Sequence, residues 1–272
     1  MQSEVIIATY NNPRSLVLCL ESIRLQTVLP QSIAFADDGS GPETCAIIDG
    51  FALPGVQIRH VWHEDQGFRK CGILNKAIAG SGADYLIFLD GDVMIHPAFI
   101  ARHLACARRG RYMTGSLIRL DKAATDAVTQ GLVQGGQVFD RAWLRANRAI
   151  DRVSTWLKTM PFPLPVMAFL DRVSIVRPSL CGANASAFRD EVLAVGGFDE
   201  RMKYGGLDKE FGVRLTNNGT RGAHLRYSAP LVHLDHPRGY SDPEGRRKNR
   251  ALIDLARRDR LTRTAFGIGG QA

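Results

Sequence analysis

No apolar stretch in this 272-residue sequence reaches the roughly 18–20 residues that a helix needs to span a bilayer, which excludes a helical membrane-spanning protein. Cysteine is scarce. The five residues Cys19, Cys45, Cys71, Cys106 and Cys181 are odd in number, scattered, and never in Cys-x-x-Cys spacing. Neither a zinc site nor a disulfide framework is therefore expected, and a reducing cytoplasm is the expected compartment. Met1-Gln2-Ser3-Glu4 runs straight into a strand-like segment, so no signal peptide is expected. Internal repeats, low-complexity tracts and a dividing linker are also missing.

What is there fits a soluble globular protein of one large domain or two small ones: 45% hydrophobic and 23% charged residues. The formal net charge is +8, unevenly spread, with nine Lys/Arg against four Asp/Glu between Arg238 and Arg263. Such an end suits nucleic acid, an anionic membrane or a phosphate-bearing ligand. Leu252, Leu255 and Ala256 at helical spacing suggest an amphipathic helix there, which fits a membrane surface better than a bare basic tail. An ordinary terminal helix with a solvated charged face is the plain alternative.

The first half alternates strand and helix signals. Glu4–Thr9 reads as a strand, and Asn12-Pro13 as an N-cap with proline at the first helical position. Leu16, Leu20 and Ile23 follow at helical spacing. Ser32–Ala36 is a second strand, Pro42–Phe51 a helix, Val56–Val61 a third strand, Gly72–Ala79 a helix and Tyr85–Leu89 a fourth strand. Repeated βα units predict a mostly parallel sheet with helices on both faces. Beyond it, residues 115–120 suggest a strand, and one helix-like stretch runs around Trp143 to Trp156. Pro161, Pro163 and Pro165 follow, in a segment that reads either as a flap with exposed apolar side chains or as a packed helical hairpin. Short helices are expected over Arg189–Val195 and Asp208–Leu215.

The chemistry collects where predicted strands end, which is where ligands bind in open α/β sheets. Asp90-Gly91-Asp92 closes the run Tyr85-Leu86-Ile87-Phe88-Leu89. Two carboxylates at that point can hold a hard divalent cation and through it a diphosphate, or can be a turn with two solvated acids. Thr9-Tyr10-Asn11-Asn12 lies between the first strand and helix, where backbone N–H groups can face a nucleotide. Asp37-Asp38-Gly39-Ser40 ends the second strand. The loop from His63 to Lys70 adds glycine and two cations suited to phosphate.

Taken in series, these segments resemble the family 2 glycosyltransferases of the inverting GT-A type. The resemblance rests on Ala8-Thr9-Tyr10-Asn11, Asp37-Asp38-Gly39-Ser40, Asp65-x-Gly67-Phe68-Arg69 with Asn75, and Asp90-Gly91-Asp92 followed by Pro97. In the second half, Cys181-Gly182-Ala183-Asn184 through Gly196-Gly197-Phe198-Asp199-Glu200 is similar to the segment that meets the acceptor. Gly205-Gly206-Leu207-Asp208-Lys209-Glu210-Phe211 resembles the Gly-Gly-Glu-Asp-x-Glu-Phe pattern of galactosyl- and N-acetylhexosaminyl-transferases. Leu207 stands where that pattern has glutamate, which leaves the sugar open. His233-Leu234-Asp235-His236-Pro237-Arg238 resembles the late strand that supplies a histidine to the metal.

The resemblance implies an α/β GT-A fold, with a mostly parallel central sheet flanked by helices. It implies a nucleotide-sugar half (1–120), a helical, proline-rich insertion (121–180), an acceptor-binding and catalytic half (181–240) and a basic C-terminal helix and tail (241–272). By the same resemblance Asp208 is the catalytic base, and Mn²⁺ or Mg²⁺ is held by Asp90, Asp92 and His236, with His233 as the alternative ligand. Thr9, Tyr10, Asn11, Asp38, Asp65, Arg69, Asn75, Asp90 and Gly91 would bind the donor. The implied reaction moves a hexose or N-acetylhexosamine from a UDP-sugar to a glycan hydroxyl. The proline-rich segment and the basic amphipathic end, rather than the resemblance, suggest a lipid-linked or membrane-proximal glycan acceptor, in surface polysaccharide or lipopolysaccharide assembly, with peripheral contact to an anionic inner membrane face. A nucleotidyltransferase would want a Gly-rich loop bearing Lys or Arg after the first strand, and Thr9-Tyr10-Asn11-Asn12-Pro13 is not one. A non-catalytic sugar-nucleotide-binding module is a further alternative, supported only by Leu207. No nucleic-acid-reading motif accompanies the basic end, so nucleic acid is not an expected partner.

Overall fold

The computed structural model describes residues 1–237 and 243–270. The predicted alternation is present as β1 (Ser3–Thr9), α1 (Pro13–Arg24), β2 (Ser32–Asp37), α2 (Pro42–Asp49), β3 (Gln57–Trp62), α3 (Lys70–Ala79) and β4 (Tyr85–Asp90). Next come β5 (Val93–Ile95), α4 (Phe99–Ala105), β6 (Arg111–Gly115) and β7 (Leu117–Arg119). Short helices α5 (Lys122–Asp126), α6 (Gln130–Gln134), α7 (Arg141–Ala146), α8 (Val153–Lys158) and α9 (Leu164–Arg172) lead to β8 (Ala185–Phe188). The chain continues through α10 (Arg189–Ala194), α11 (Leu207–Asn217), β9 (Arg221–Leu225), β10 (Leu231–His233) and α12 (Pro243–Arg258).

The main sheet has the order β3-β2-β1-β4-β8-β6-β9. Its first four strands are parallel, β8 runs antiparallel to β4 and β6, and β9 is again parallel to β6. It is the mostly parallel, helix-flanked α/β sheet expected. β1 is buried along its whole length because both its faces are covered. Val5 and Ile7 pack with Leu16, Cys19, Leu20 and Ile23 of α1, while Ile6 and Ala8 pack with Ile73, Leu74, Ala77 and Ile78 of α3. A second, small sheet, β5-β10-β7, carries a separate apolar cluster with α5–α7, including Met94, Ile118, Val133, Leu144 and Val232.

The stretch from Trp143 to Trp156 is not one helix. α7 stops at Ala146, where Arg148 enters the left-handed region (φ 55°) and the Ala149 N–H bonds back to the Leu144 carbonyl at 2.8 Å. This is a helix-ending turn that sends Ala149 into the small cluster. α12 is an amphipathic helix of the plainer kind, with its apolar face packed on the fold. Its Gly245, Asn249, Ile253 and Ala256 are buried, and Leu252 and Ile253 join the main core. The Asn249 side chain accepts from the Lys203 N–H and donates to the Gly205 carbonyl. Among the described residues, no helix is long and apolar enough to cross a membrane.

Beneath β8 lies a buried polar chain: Tyr85 Oη to Ser186 Oγ (2.7 Å), Ser186 Oγ to His103 Nδ1 (2.7 Å) and His103 Nε2 to Asn184 Oδ1 (3.1 Å). Burial pulls the His103 pKa down to about 3. The native state therefore stays neutral at His103, while the unfolded chain takes up a proton below its ordinary value near 6.5. Stability is complete above about pH 6.5 and lost progressively as the pH falls toward 3. Denaturant titrations should show about 2 kcal/mol less stability at pH 5 than at pH 7 from this group, a loss absent in His103→Gln.

Candidate active site

The parallel strands deliver their loops to one edge of the sheet. Thr9 pairs with Asp37 and Ala8 with Asp90, so the loops after β1, β2 and β4 stand side by side. A cleft of about 690 Å³ opens over them, lined by Thr9, Tyr10, Asn11, Asp38, Asp90, Gly91, Asp92, Asp208, His233 and His236. Ten of the predicted site residues, from five segments of the chain, therefore share one cavity.

The nucleotide side is held by loop-to-loop bonds. Asn11 sits at φ 43°, its N–H donates to Ser40 Oγ (2.9 Å), and its Oδ1 accepts from the Gly41 N–H (2.8 Å). Asp38 is buried, with Oδ1 2.8 Å from His63 Nε2 and Oδ2 accepting from the Arg69 N–H at 3.0 Å. Burial raises its pKa against the opposing pull of His63 and Arg69. Asp65 accepts from Tyr10 Oη (2.8 Å) and the Gly67 N–H (2.9 Å); those bonds lower its pKa and brace the loop from outside the cleft. That loop comes so close that a Cβ on Gly39 (φ +96°) would lie 2.6 Å from the Asp65 Cα, which explains the glycine.

Arg69 and Asn75 do not line the main cleft. Both border a separate, smaller cavity of about 320 Å³. The Arg69 side chain donates to the Glu64 carbonyl at 2.6 Å. Asn75 is buried; it donates to the Phe198 carbonyl and Glu200 and accepts from the Phe198 N–H, each at 2.8 Å. Its amide is engaged in tying α3 to the 198–200 loop, away from the residues that line the cleft. Arg69 serves Asp38 through its backbone.

The Asp-x-Asp pair divides. Asp90 Oδ1 pairs with Lys70 Nζ at 2.5 Å. Asp92 instead meets both late histidines, with His236 Nε2 3.0 Å from Oδ2 and His233 Nε2 3.7 Å from Oδ1. The antiparallel register of β10 on β5, His233 opposite Val93, puts them there. Sequence reasoning treated the histidines as alternatives, whereas the fold converges both. Arg238, the last residue of that motif, lies outside the described residues. The ligand atoms of Asp92, His233 and His236 all fall within 4.8 Å of one another. Asp92 Oδ1 is buried without a hydrogen-bond partner, as a carboxylate shaped to take a cation would be. Burial disfavours the charged carboxylate, but His236, His233 and Lys70 outweigh it and hold the Asp92 pKa below the usual range.

From sequence, Lys70 was only one of two loop cations suited to phosphate. It is the first residue of α3, where the helix dipole disfavours a cation. A lysine there signals a compensating anion, and Asp90 is that anion. Burial pulls its ammonium pKa down, yet Asp90, Asp208 and Asp92 more than offset this and raise it.

Asp208 reaches the cleft from the first turn of α11, and its Oδ2 accepts from the Gly182 N–H at 2.9 Å. A Cβ on Gly182 would sit 2.6 Å from Asp208 Oδ1, so glycine there makes room for the carboxylate. Burial, aided by Asp90, raises the Asp208 pKa against Lys70 and the Gly182 bond. A carboxylate made more basic and facing a cleft can accept a proton. Leu207 beside it is buried and lines the same cavity.

Residues 4–175 match the family model described as "Glycosyl transferase family 2". Asp208, His233 and His236 lie beyond that span, so their place in the site rests on geometry. The chain is 27% identical over 226 residues to validoxylamine A glucosyltransferase of Streptomyces hygroscopicus subsp. limoneus, covering 79% of this chain and 48% of that protein. It spans about half the length of the curated relatives it matches first. Among solved structures, S. aureus TarS 1-349 in complex with UDP-GlcNAc aligns with a TM-score of 0.62 at 15% identity, over 94% of this chain and 66% of that one. Glucosyl-3-phosphoglycerate synthase from Mycobacterium tuberculosis, in complex with Mn²⁺, UDP and glucosyl-3-phosphoglycerate, aligns with a TM-score of 0.55 at 16% identity, over 97% and 81%. These structures share the GT-A fold with this chain.

Proposed function

The chain belongs to glycosyl transferase family 2, and on that premise we propose that it transfers a hexose or N-acetylhexosamine from a UDP-sugar to a glycan hydroxyl with inversion. The observation that carries this is Asp208, a carboxylate with a raised pKa, facing the same cleft as Asp38, Lys70 and the Asp92–His233–His236 cluster. The solved TarS and glucosyl-3-phosphoglycerate synthase complexes, which hold UDP-GlcNAc or UDP with Mn²⁺, support a uridine donor.

In this reading Asp38 accepts from the base, and Thr9, Tyr10 and Asn11 line it. Asp92, His233 and His236 would hold a divalent cation, with imidazole shifting preference toward Mn²⁺. When bound, such an ion stabilises the charge that grows on the diphosphate leaving group. Asp90 faces the donor and keeps Lys70 charged; Lys70 lies among three carboxylates and steadies the ionised form of Asp208. Asp208 takes the proton of the acceptor hydroxyl as its oxygen attacks C1 opposite the nucleotide. One displacement inverts the centre, so no enzyme nucleophile is required.

The test is a panel of nucleotide sugars with and without Mn²⁺, read as a rise in melting temperature and then as transfer or donor hydrolysis. UDP-sugars should stabilise the chain only with the metal. A non-catalytic binding module would show the stabilisation without turnover. Asp92→Asn should weaken metal-dependent UDP-sugar binding by at least about tenfold, since even outer-shell changes at metal sites cost that much. Unaltered Mn²⁺-dependent affinity in that variant removes the metal role.

A further inference from the structure

The segment after α7 carries an apolar surface that the fold leaves uncovered. Nine of the fifteen exposed large hydrophobic side chains among the described residues fall between Val153 and Val176. Phe169 is 60% exposed and Ile175 99%. α9 buries only Met167 and Asp171, half-buries Ala168 and Leu170, and leaves Leu164, Val166 and Phe169 exposed. A patch of this density on a globular chain marks a contact surface rather than ordinary surface composition.

Charge identifies the contact. Between Val153 and Ser179 the single acidic residue is Asp171, and it is buried. Its carboxylate accepts from the Tyr227 N–H at 2.7 Å and from the Ser228 hydroxyl. The exposed acid count of the segment is therefore zero, while Arg172 and Arg177 are exposed beside the apolar side chains. Burial, then the nearby cations Arg226 and Arg152, bring the Lys158 pKa down to about 8. Apolar side chains interleaved with cations suit the boundary between headgroups and acyl chains of an anionic leaflet.

The patch also lies next to the cleft. Lys158 Nζ donates to the Leu117 carbonyl at 3.0 Å, and Leu117 lines the cleft. At its other end the Ser179 carbonyl accepts from Thr114 Oγ1 at 2.9 Å, two residues before the cleft residue Cys181. α12, the basic helix that the sequence singled out, has its apolar face already packed inside the fold.

We propose that the face formed by α8, α9 and residues 173–177 seats on an anionic lipid bilayer, bringing the cleft to the membrane surface where a lipid-linked acceptor is presented. The seat goes beyond the reaction assigned above. Its test uses no sugar, so either idea can fail alone.

The full chain should co-sediment with vesicles of phosphatidylglycerol and phosphatidylcholine, weakly with phosphatidylcholine alone, and less as salt is added. Phe169→Asp with Ile175→Asp should lower partition by at least about tenfold, with melting temperature unchanged. Arg172→Glu with Arg177→Glu, both at exposed positions, should weaken binding to the anionic vesicles and flatten the salt dependence. No partition of the wild-type chain, equal partition on neutral vesicles, or full partition of either double variant overturns the proposal. So does a lipid-free dimer that Phe169→Asp with Ile175→Asp converts to monomer, which would assign the patch to a second copy of the chain.

Discussion

Replacing Asp208 by asparagine lowers sugar transfer by about 10²–10⁴-fold, the usual contribution of a general base, while donor binding is retained. Asparagine keeps the shape and can still accept the Gly182 N–H that now meets Oδ2. It cannot take the acceptor proton. Initial rates with saturating UDP-sugar and acceptor, beside donor affinity by calorimetry, separate the two effects, and a wild-type rate in Asp208→Asn sinks the assignment. The pH profile supplies a second reading. Burial and Asp90 raise the Asp208 pKa, so activity should fall through a limb lying above the ordinary carboxylate value near 4 as the solution is acidified. Lys70 opposes that shift, so Lys70→Met should move the limb to still higher pH.

Arg214→Ala should cost about 3–5 kcal/mol of folding stability, as expected when one partner of a buried ion pair is removed. Arg214 is 1% exposed and pairs with Glu210 at 2.6 and 2.7 Å within α11. The same guanidinium donates to the Val195 and Gly197 carbonyls at 2.6 and 2.8 Å, closing the turn after α10. Truncation leaves the buried Glu210 carboxylate and the Gly197 carbonyl without Arg214, while the Val195 carbonyl keeps only the Thr264 N–H at 3.2 Å. Because α11 carries Asp208 in its first turn, the loss should appear in activity well below the melting temperature. Denaturant titration measures the cost directly. Glu210→Gln with Arg214→Met should recover part of it, because the uncompensated charge is gone. A loss below about 1 kcal/mol would mean that water reaches the pair.

The first half of the fold was legible because its signals are local. From Ser3 to Asp90, strand runs, the Asn12-Pro13 cap and helical spacing each act within a few residues, and the observed boundaries differ from the expected ones by about two residues. β5, β7 and β10 were not legible as a unit. Each spans three residues, and only their mutual pairing makes them a sheet. The break at Arg148 was hidden for a related reason: its left-handed turn is chosen by the pull of Ala149 into the small cluster, not by a glycine.

By itself the sequence determined the family resemblance, the alternating α/β half and the residue types that gather at the strand ends, because these depend on neighbours along the chain. Tertiary structure decided the partners. It paired Asp90 with Lys70, joined Asp92 to both His233 and His236, turned Asn75 inward, packed the apolar face of the basic C-terminal helix into the core and left apolar side chains of α8 and α9 exposed. Each of those outcomes depends on strand register or on which helix face finds a core, and such contacts join residues far apart in the chain.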